Sequence, residues 1–361
     1  MKSRHSQSQS GIALIIVMIA ITVLSLMAAA FAYFMKVETK LAQNSNSEQE
    51  LYWMGRSGVE YCRWVLSQGC PNEPYEALNQ RWAGGPGGLC STNPDAPVIE
   101  NTVQLGSGSF TWKIVDLERK VNINVAGPDV IAQALTLIGV DASEFDVISG
   151  SIADWIDPDE ATHVNGAESD YYQGLNPPYF SKNAPLDDLS ELLLVKGIAD
   201  APEIYWGGAS TNHSMAAFQS KSSSSMRSRF NNDQVVYPVG LVDLFTPLSS
   251  GRININTASM EVLQLIPYVD ETIATEIIRL RAGPDGVDGT DDDTPFQNVG
   301  ELINAGLNNQ AVGQIARYCD VHSRTYQVTV DAQIAGYHRE FVAILGRNSA
   351  QDSQVLSFYW K

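Results

Sequence analysis

Two stretches of this chain crowd carboxylates closely enough to hold a cation. In "DWIDPDEATHVNGAESDYY" the acids are Asp154, Asp157, Asp159, Glu160, Glu168 and Asp170. In "DGVDGTDDD" they are Asp285, Asp288, Asp291, Asp292 and Asp293, spaced by glycines that permit a tight wrap. Calcium takes roughly six to eight oxygen ligands from flexible loops of this kind. The second stretch is not an EF-hand, because it lacks the alternate-position pattern and the closing glutamate. For each loop the other reading is a solvated acidic turn with no ion.

No other set of residues offers chemistry at this level. The five histidines (His5, His163, His213, His322, His338) stand apart, without the spacing of a metal helix. The serines at 222–225 lie in a low-complexity run rather than at a nucleophile elbow, and "GPGG" at 85–88 lacks a strand–loop–helix context. No enzyme is expected. With 23 basic and 41 acidic residues the net charge is −18, which repels phosphate backbones and favours cations and basic partners. The stretch "NINTASMEVLQLIPYVDETIATEIIRLR" resembles a helix-hairpin-helix, a motif that often grips DNA. Its hairpin "PYVDE", however, puts Tyr268 and Asp270 where glycines let backbone N–H groups approach a phosphate, so a structural use is expected and no nucleic acid. Cys62, Cys70 and Cys90 are close enough in sequence for one local disulfide, with the pairing left open.

The elements that must carry these loops follow from periodicity. From Gly11 to Met35 no charge occurs, a span that as a helix of about 1.5 Å per residue crosses a bilayer core of about 30 Å. Lys2 and Arg4 precede it and hold the short N-terminus in the cytoplasm, leaving the body outside. Apolar positions continue at helical spacing through Leu41, Leu51, Val59, Val65 and Leu66, so one long helix is predicted, apolar over 12–35 and amphipathic over 36–69. The alternation in "GSFTWKIVDLERKVNIN" reads as strand. "TYQVTVDAQIAGYHREFVAILGR" reads as two strands turning near Ala335-Gly336, and "SQVLSFYW" as a third. Between these strands lies a helical insertion with a weak internal repeat. "RKVNINVAGPDVIAQALTLIG" (119–139) matches "GRININTASMEVLQLIPYV" (251–269), and "NAPLDDLSELLLVKGI" (183–198) matches "DTPFQNVGELINAGL" (293–307).

A polar leader with Lys2 and Arg4, then Gly11, then an unbroken apolar run from Ile12 resembles the class III signal of type IV prepilins. The resemblance implies cleavage between Gly11 and Ile12 by a prepilin peptidase, with the helix retained. Most members carry glutamate as the fifth mature residue, where this chain has Ile16. A carboxylate in lipid without its partner amine is costly, so an apolar residue suits a subunit with nothing above it. That departure, together with "ADWIDPDE…GAESDYYQGLNPPYFSKNAPLDDLSELLLVKGI", resembles the minor pseudopilin K family of the type II secretion system.

The resemblance implies an α+β fold: a pilin-like long helix packed on an antiparallel sheet, with a two-subdomain helical insertion of helix-hairpin-helix or SAM-like type. The expected boundaries are a leader at 1–11, the helix at 12–69, sheet at 70–118 and 321–361, subdomains at 119–218 and 251–320, and a linker at 219–250. It further implies calcium, a periplasmic globular part anchored in the inner membrane, assembly with minor pseudopilins I and J and other pseudopilins, and contact with secreted substrates. The alternatives are a membrane-anchored DNA receptor and a minor pilin of a type IV pilus.

Overall fold

The computed structural model describes residues 10–68, 73–87, 99–207, 237–349 and 352–361. Helix α1 runs unbroken over Ser10–Ser67, 58 residues, or about 87 Å at 1.5 Å per residue. From Ala13 its first half is exposed and is long and apolar enough to cross a membrane. The second half buries Leu51, Met54, Val59, Cys62, Val65 and Leu66, a helical-spacing stripe, against a sheet. Gly55 and Gly58 let helix and sheet approach closely. A Cβ at Gly55 would stand 2.3 Å from the Phe341 ring, and one at Gly58 2.5 Å from Val330.

The sheet has five antiparallel strands in the order β1-β2-β7-β8-β9. They are β1 (Thr102–Leu105), β2 (Gly108–Asp116), β7 (Thr325–Ile334), β8 (Tyr337–Ser349) and β9 (Asp352–Trp360). Alternate residues of β7, from Tyr326 to Ile334, face α1, the period-2 pattern of a half-covered sheet. Ala335 and Gly336 link Ile334 to its partner Tyr337, both with positive φ, as a two-residue hairpin of matching twist requires. Strand β1 was not expected. It is short and mostly exposed, so it lacks the apolar alternation that betrays the others.

The described residues between β2 and β7 form a second body with its own core. Its first half opens with β3 (Val121–Asn122), then α2 (Pro128–Ile138), α3 (Phe145–Ile156), α4 (Ser169–Gln173) and a 3-10 turn at Leu189–Leu194. It closes through α5 (Glu203–Trp206), α6 (Leu241–Leu244) and β4 (Phe245–Thr246), which pairs in parallel with β3. The second half repeats the plan: β5 (Ile253–Asn254), α7 (Met260–Leu263), α8 (Glu271–Arg281), a 3-10 turn at Val299–Ala305, α9 (Asn309–Ile315) and β6 (Cys319–Asp320), parallel to β5. One contiguous apolar core runs through both halves, from Ile131 and Leu135 to Ile277 and Ile315.

Two expectations change here. Residues 241–246 fall in the expected linker, yet α6 and β4 complete the first half, Phe245 and Thr246 pairing with Val121 and Asn122; a four-residue helix and a two-residue strand are too short to show a period. Cys62 is a free thiol, fully buried between α1 and the sheet, and burial pushes its pKa well up. It takes no part in a disulfide, and Cys70 and Cys90 lie outside the described residues, as does the serine-rich run at 220–233.

The two bodies meet at Asp116, the last residue of β2. Its carboxylate is buried and accepts hydrogen bonds from Thr257 Oγ1 (2.5 Å), Ser323 Oγ (2.6 Å) and Glu118 N (2.8 Å). Asn254 joins the same knot by donating to Ser323 Oγ and to the Glu76 carbonyl.

Candidate metal site

Helix α3 turns Ile148, Ile152 and Trp155 into the core, and Asp154 lies buried with them near its C-terminal end. A carboxylate placed there must be matched by hydrogen bonds or by positive charge. One oxygen is matched: Asp154 Oδ1 accepts from His163 N (2.9 Å) and meets His163 Nδ1 at 2.6 Å. The other, Oδ2, is buried and has no donor, and the same holds for Asp157 Oδ1 and Glu168 Oε1.

These orphaned oxygens belong to two overlapping groups. Asp154, Asp157 and His163 form one, and Asp157, Asp159 and Glu168 the other; within each, one ligand atom per residue lies within 4.8 Å of the rest. Burial, then the neighbouring Asp159 and Asp154 charges, raises the Asp157 pKa. Burial raises that of Glu168, with Asp154, Glu160 and Asp157 adding to it. The hydrogen bond to Asp154 holds the His163 pKa above its ordinary value. Burial and the acidic neighbours both disfavour the charged forms of these carboxylates, and a positive charge among them would favour those forms.

The backbone is shaped around the same point. A Cβ on Gly166 would stand 2.0 Å from Asp154 Oδ2, and a Cβ on Gly150 2.9 Å from the Val164 carbonyl. Asn165 sits in the left-handed region, turning the chain back towards α3. Three buried oxygens without donors, an aspartate-rich loop and a glycine-lined cradle fit an oxygen-seeking dication. Other acids are committed elsewhere. Glu160 accepts from Ser169 Oγ and Asn183 Nδ2, and Asp170 is exposed on α4 outside both groups.

The second acidic stretch is built differently, and among the described residues its carboxylates form no ligand cluster. Asp288 pairs with the Arg281 guanidinium through two bonds of 3.0 and 2.7 Å. Asp285 accepts from Val287 N, Asp292 from Asp285 N and Thr290 Oγ1, and Asp293 from Gly289 N and Thr290 N. Asp291 is exposed. Composition pointed to both loops, and for the second it was the whole argument; His163 and Arg281, which set them apart, carry no loop pattern of their own.

The α7–α8 turn holds Tyr268 at positive φ, and the Asp270 carboxylate accepts from Ile273 N, so the N-terminus of α8 is capped by its own acid. Gly11 and Ile12 fall within α1, and Ile16 is exposed on it.

Residues 114–204 match the family described as type II secretion system (T2SS), protein K, a range that contains the whole first acidic loop. A putative type II secretion system protein K of Escherichia coli K12 is 31% identical over 36% of this chain and 39% of its own length. The type II secretion system protein K of Aeromonas hydrophila is 26% identical over 53% of this chain and 60% of its own. That of Pectobacterium carotovorum is 26% identical over 46% and 49%. The chain thus spans less than two thirds of the curated relatives it matches. Among solved structures, a chain of the GspK-GspI-GspJ complex from the enterotoxigenic Escherichia coli Type 2 Secretion System aligns with TM-score 0.61 at 17% identity, over 89% of this chain and 99% of that chain, and so shares the fold.

Proposed function

We propose, for a chain whose residues 114–204 form a type II secretion system protein K domain, that it is a minor pseudopilin at the tip of the secretion pseudopilus. The observation that carries this reading is the placement of that domain. It is inserted between β2 and β7 of a helix-on-sheet body, above a helix long enough to anchor in the inner membrane. On this reading the insertion would block a further subunit from stacking, and Ile16 offers no carboxylate to a subunit above. The chain therefore caps or initiates a filament rather than extending it, with its globular part in the periplasm. Its partners are counterparts of the GspI and GspJ chains present with the structural neighbour, together with other pseudopilins, the prepilin peptidase that cuts after Gly11, and secreted substrates.

The first acidic loop is the calcium site of this assembly. Asp154, Asp157, Asp159 and Glu168 would hold the ion, which would supply positive charge to the three orphaned oxygens and pin residues 157–168 to α3. No catalytic role is assigned, and the acid-capped α8 together with net −18 speaks against a DNA receptor.

Mass measurement of membrane-extracted protein tests the leader: the expected N-terminus is Ile12, and Gly11→Val is expected to block its formation. Co-purification with minor pseudopilins I and J tests the tip. Retention of Met1 together with failure to recover either partner would overturn the proposal.

A further inference from the structure

The two halves of the insertion share a set of hydrogen bonds beyond their matching sequence. In each, the first asparagine of N-I-N accepts from the backbone N of the second: Asn122 from Asn124, and Asn254 from Asn256, both at 2.9 Å. The second asparagine then clamps a distant backbone with two bonds. Asn124 holds Leu186 (2.7 and 3.0 Å), and Asn256 holds Phe296 (2.9 and 2.9 Å). Each clamped residue leads into a 3-10 turn whose glutamate closes back on the chain just before it, Glu191 on Asp187 and Asp188 N, Glu301 on Gln297 N. Between N-I-N and clamp, the second helix of each half carries a buried charge near its end and leads into an acidic loop. In α3 that charge is Asp154; in α8 it is Arg281.

The two loops are closed by opposite means. In the first, the buried residue is itself an acid and three carboxylate oxygens have no donor. In the second, Arg281 donates to the carbonyls of Ile255 and Ala258 (both 2.8 Å), beside the second N-I-N, and its remaining edge forks onto Asp288. A guanidinium keeps its charge at every physiological pH and presents its donors in a rigid plane, so it joins loop to core without exchange with solvent.

We infer that Arg281 is a built-in cation, doing for the second loop what a divalent ion does for the first, so that calcium governs order in one half of the insertion only. The inference rests on the calcium reading of the first loop and specifies its regulatory reach. Loss of the ion loosens 157–170 while 283–296 stays closed.

Hydrogen exchange of the full chain in detergent, with millimolar calcium or with EGTA, tests this. In the native protein EGTA is expected to speed exchange in 157–170 by roughly tenfold or more, the loss expected when charge-assisted contacts go, and to leave 283–296 unchanged. In Arg281→Gln, exchange in 283–296 rises and calcium slows it again, because Asp288, freed from the guanidinium, now joins its acidic neighbours around an ion. In Asp288→Asn it also rises, but calcium does not reverse it, since Arg281 still occupies the position. Opening of 283–296 by EGTA in the native protein overturns the inference, as does an Arg281→Gln loop that calcium leaves open. If Arg281→Gln does not fold, the native EGTA comparison decides alone. A first loop indifferent to calcium overturns the calcium reading separately, through peptides 157–170.

Discussion

The Asp116 carboxylate, buried where the sheet meets the insertion, makes the fold less stable as pH rises. Burial lifts its pKa from 3.8 to about 6, against the opposing pull of hydrogen bonds from Ser323, Thr257 and Glu118. Since the folded value lies above the unfolded one, the folded state holds a proton that the unfolded chain has released. The favourable contribution is therefore complete below about pH 4 and is lost as pH rises through about 6. About two pH units at 1.36 kcal/mol each give a difference of about 3 kcal/mol between the ends of that window. Asp116→Asn removes the titration while keeping Oδ1 to accept from Glu118 N; its amide nitrogen then faces the Thr257 and Ser323 hydroxyls, which can rotate to accept. The experiment is urea unfolding of both proteins, followed by tryptophan fluorescence, at steps from pH 4 to pH 7.5. The buried Glu76 and Glu118, also raised by burial, titrate in both proteins, so the wild-type-minus-variant difference reports Asp116 together with its charge coupling to Glu118. The variant should gain about 3 kcal/mol relative to wild type across the window. A flat difference, or a variant that loses ground as pH rises, would refute the argument that burial dominates at this carboxylate.

Three further outcomes are expected. Calcium at a hundred times its dissociation constant should stabilise the native chain by about 2.7 kcal/mol, seen as a rise in Tm; Asp157→Asn with Glu168→Gln, or Gly166→Ala alone, should abolish the rise, whereas Asp291→Asn should leave it intact. Gly58→Leu should destabilise the helix–sheet body by about 1–3 kcal/mol or more, measured by urea unfolding, because its Cβ would stand 2.5 Å from Val330. Duplex and single-stranded DNA should not shift in a gel with the solubilised protein at physiological salt; micromolar, salt-sensitive retention would count for the DNA-receptor reading.

Much of this architecture was legible in the sequence, because periodicity is a local property. The 3.6-residue stripe of α1, the alternation in β2 and β7, the β-rich apolar runs of β8 and β9, and the Ala335-Gly336 turn all declare themselves within a few residues. So did the repeat of N-I-N, and with it the two-part plan of the insertion. What stayed hidden was short or depended on distant partners. β1, α6 and β4 are too brief to show a period, and the burial of Cys62 depends on the strands that pack over it. The acidic loops mark the division most clearly. Their composition marked both as possible cation sites, since counting carboxylates says nothing about which are already paired. Only the folded chain places Arg281 against Asp288, while leaving Asp154, Asp157 and Glu168 each with one buried oxygen that has no donor. The physical reason is that charge compensation is set by distance and burial in space, quantities that a one-dimensional pattern of acids does not contain.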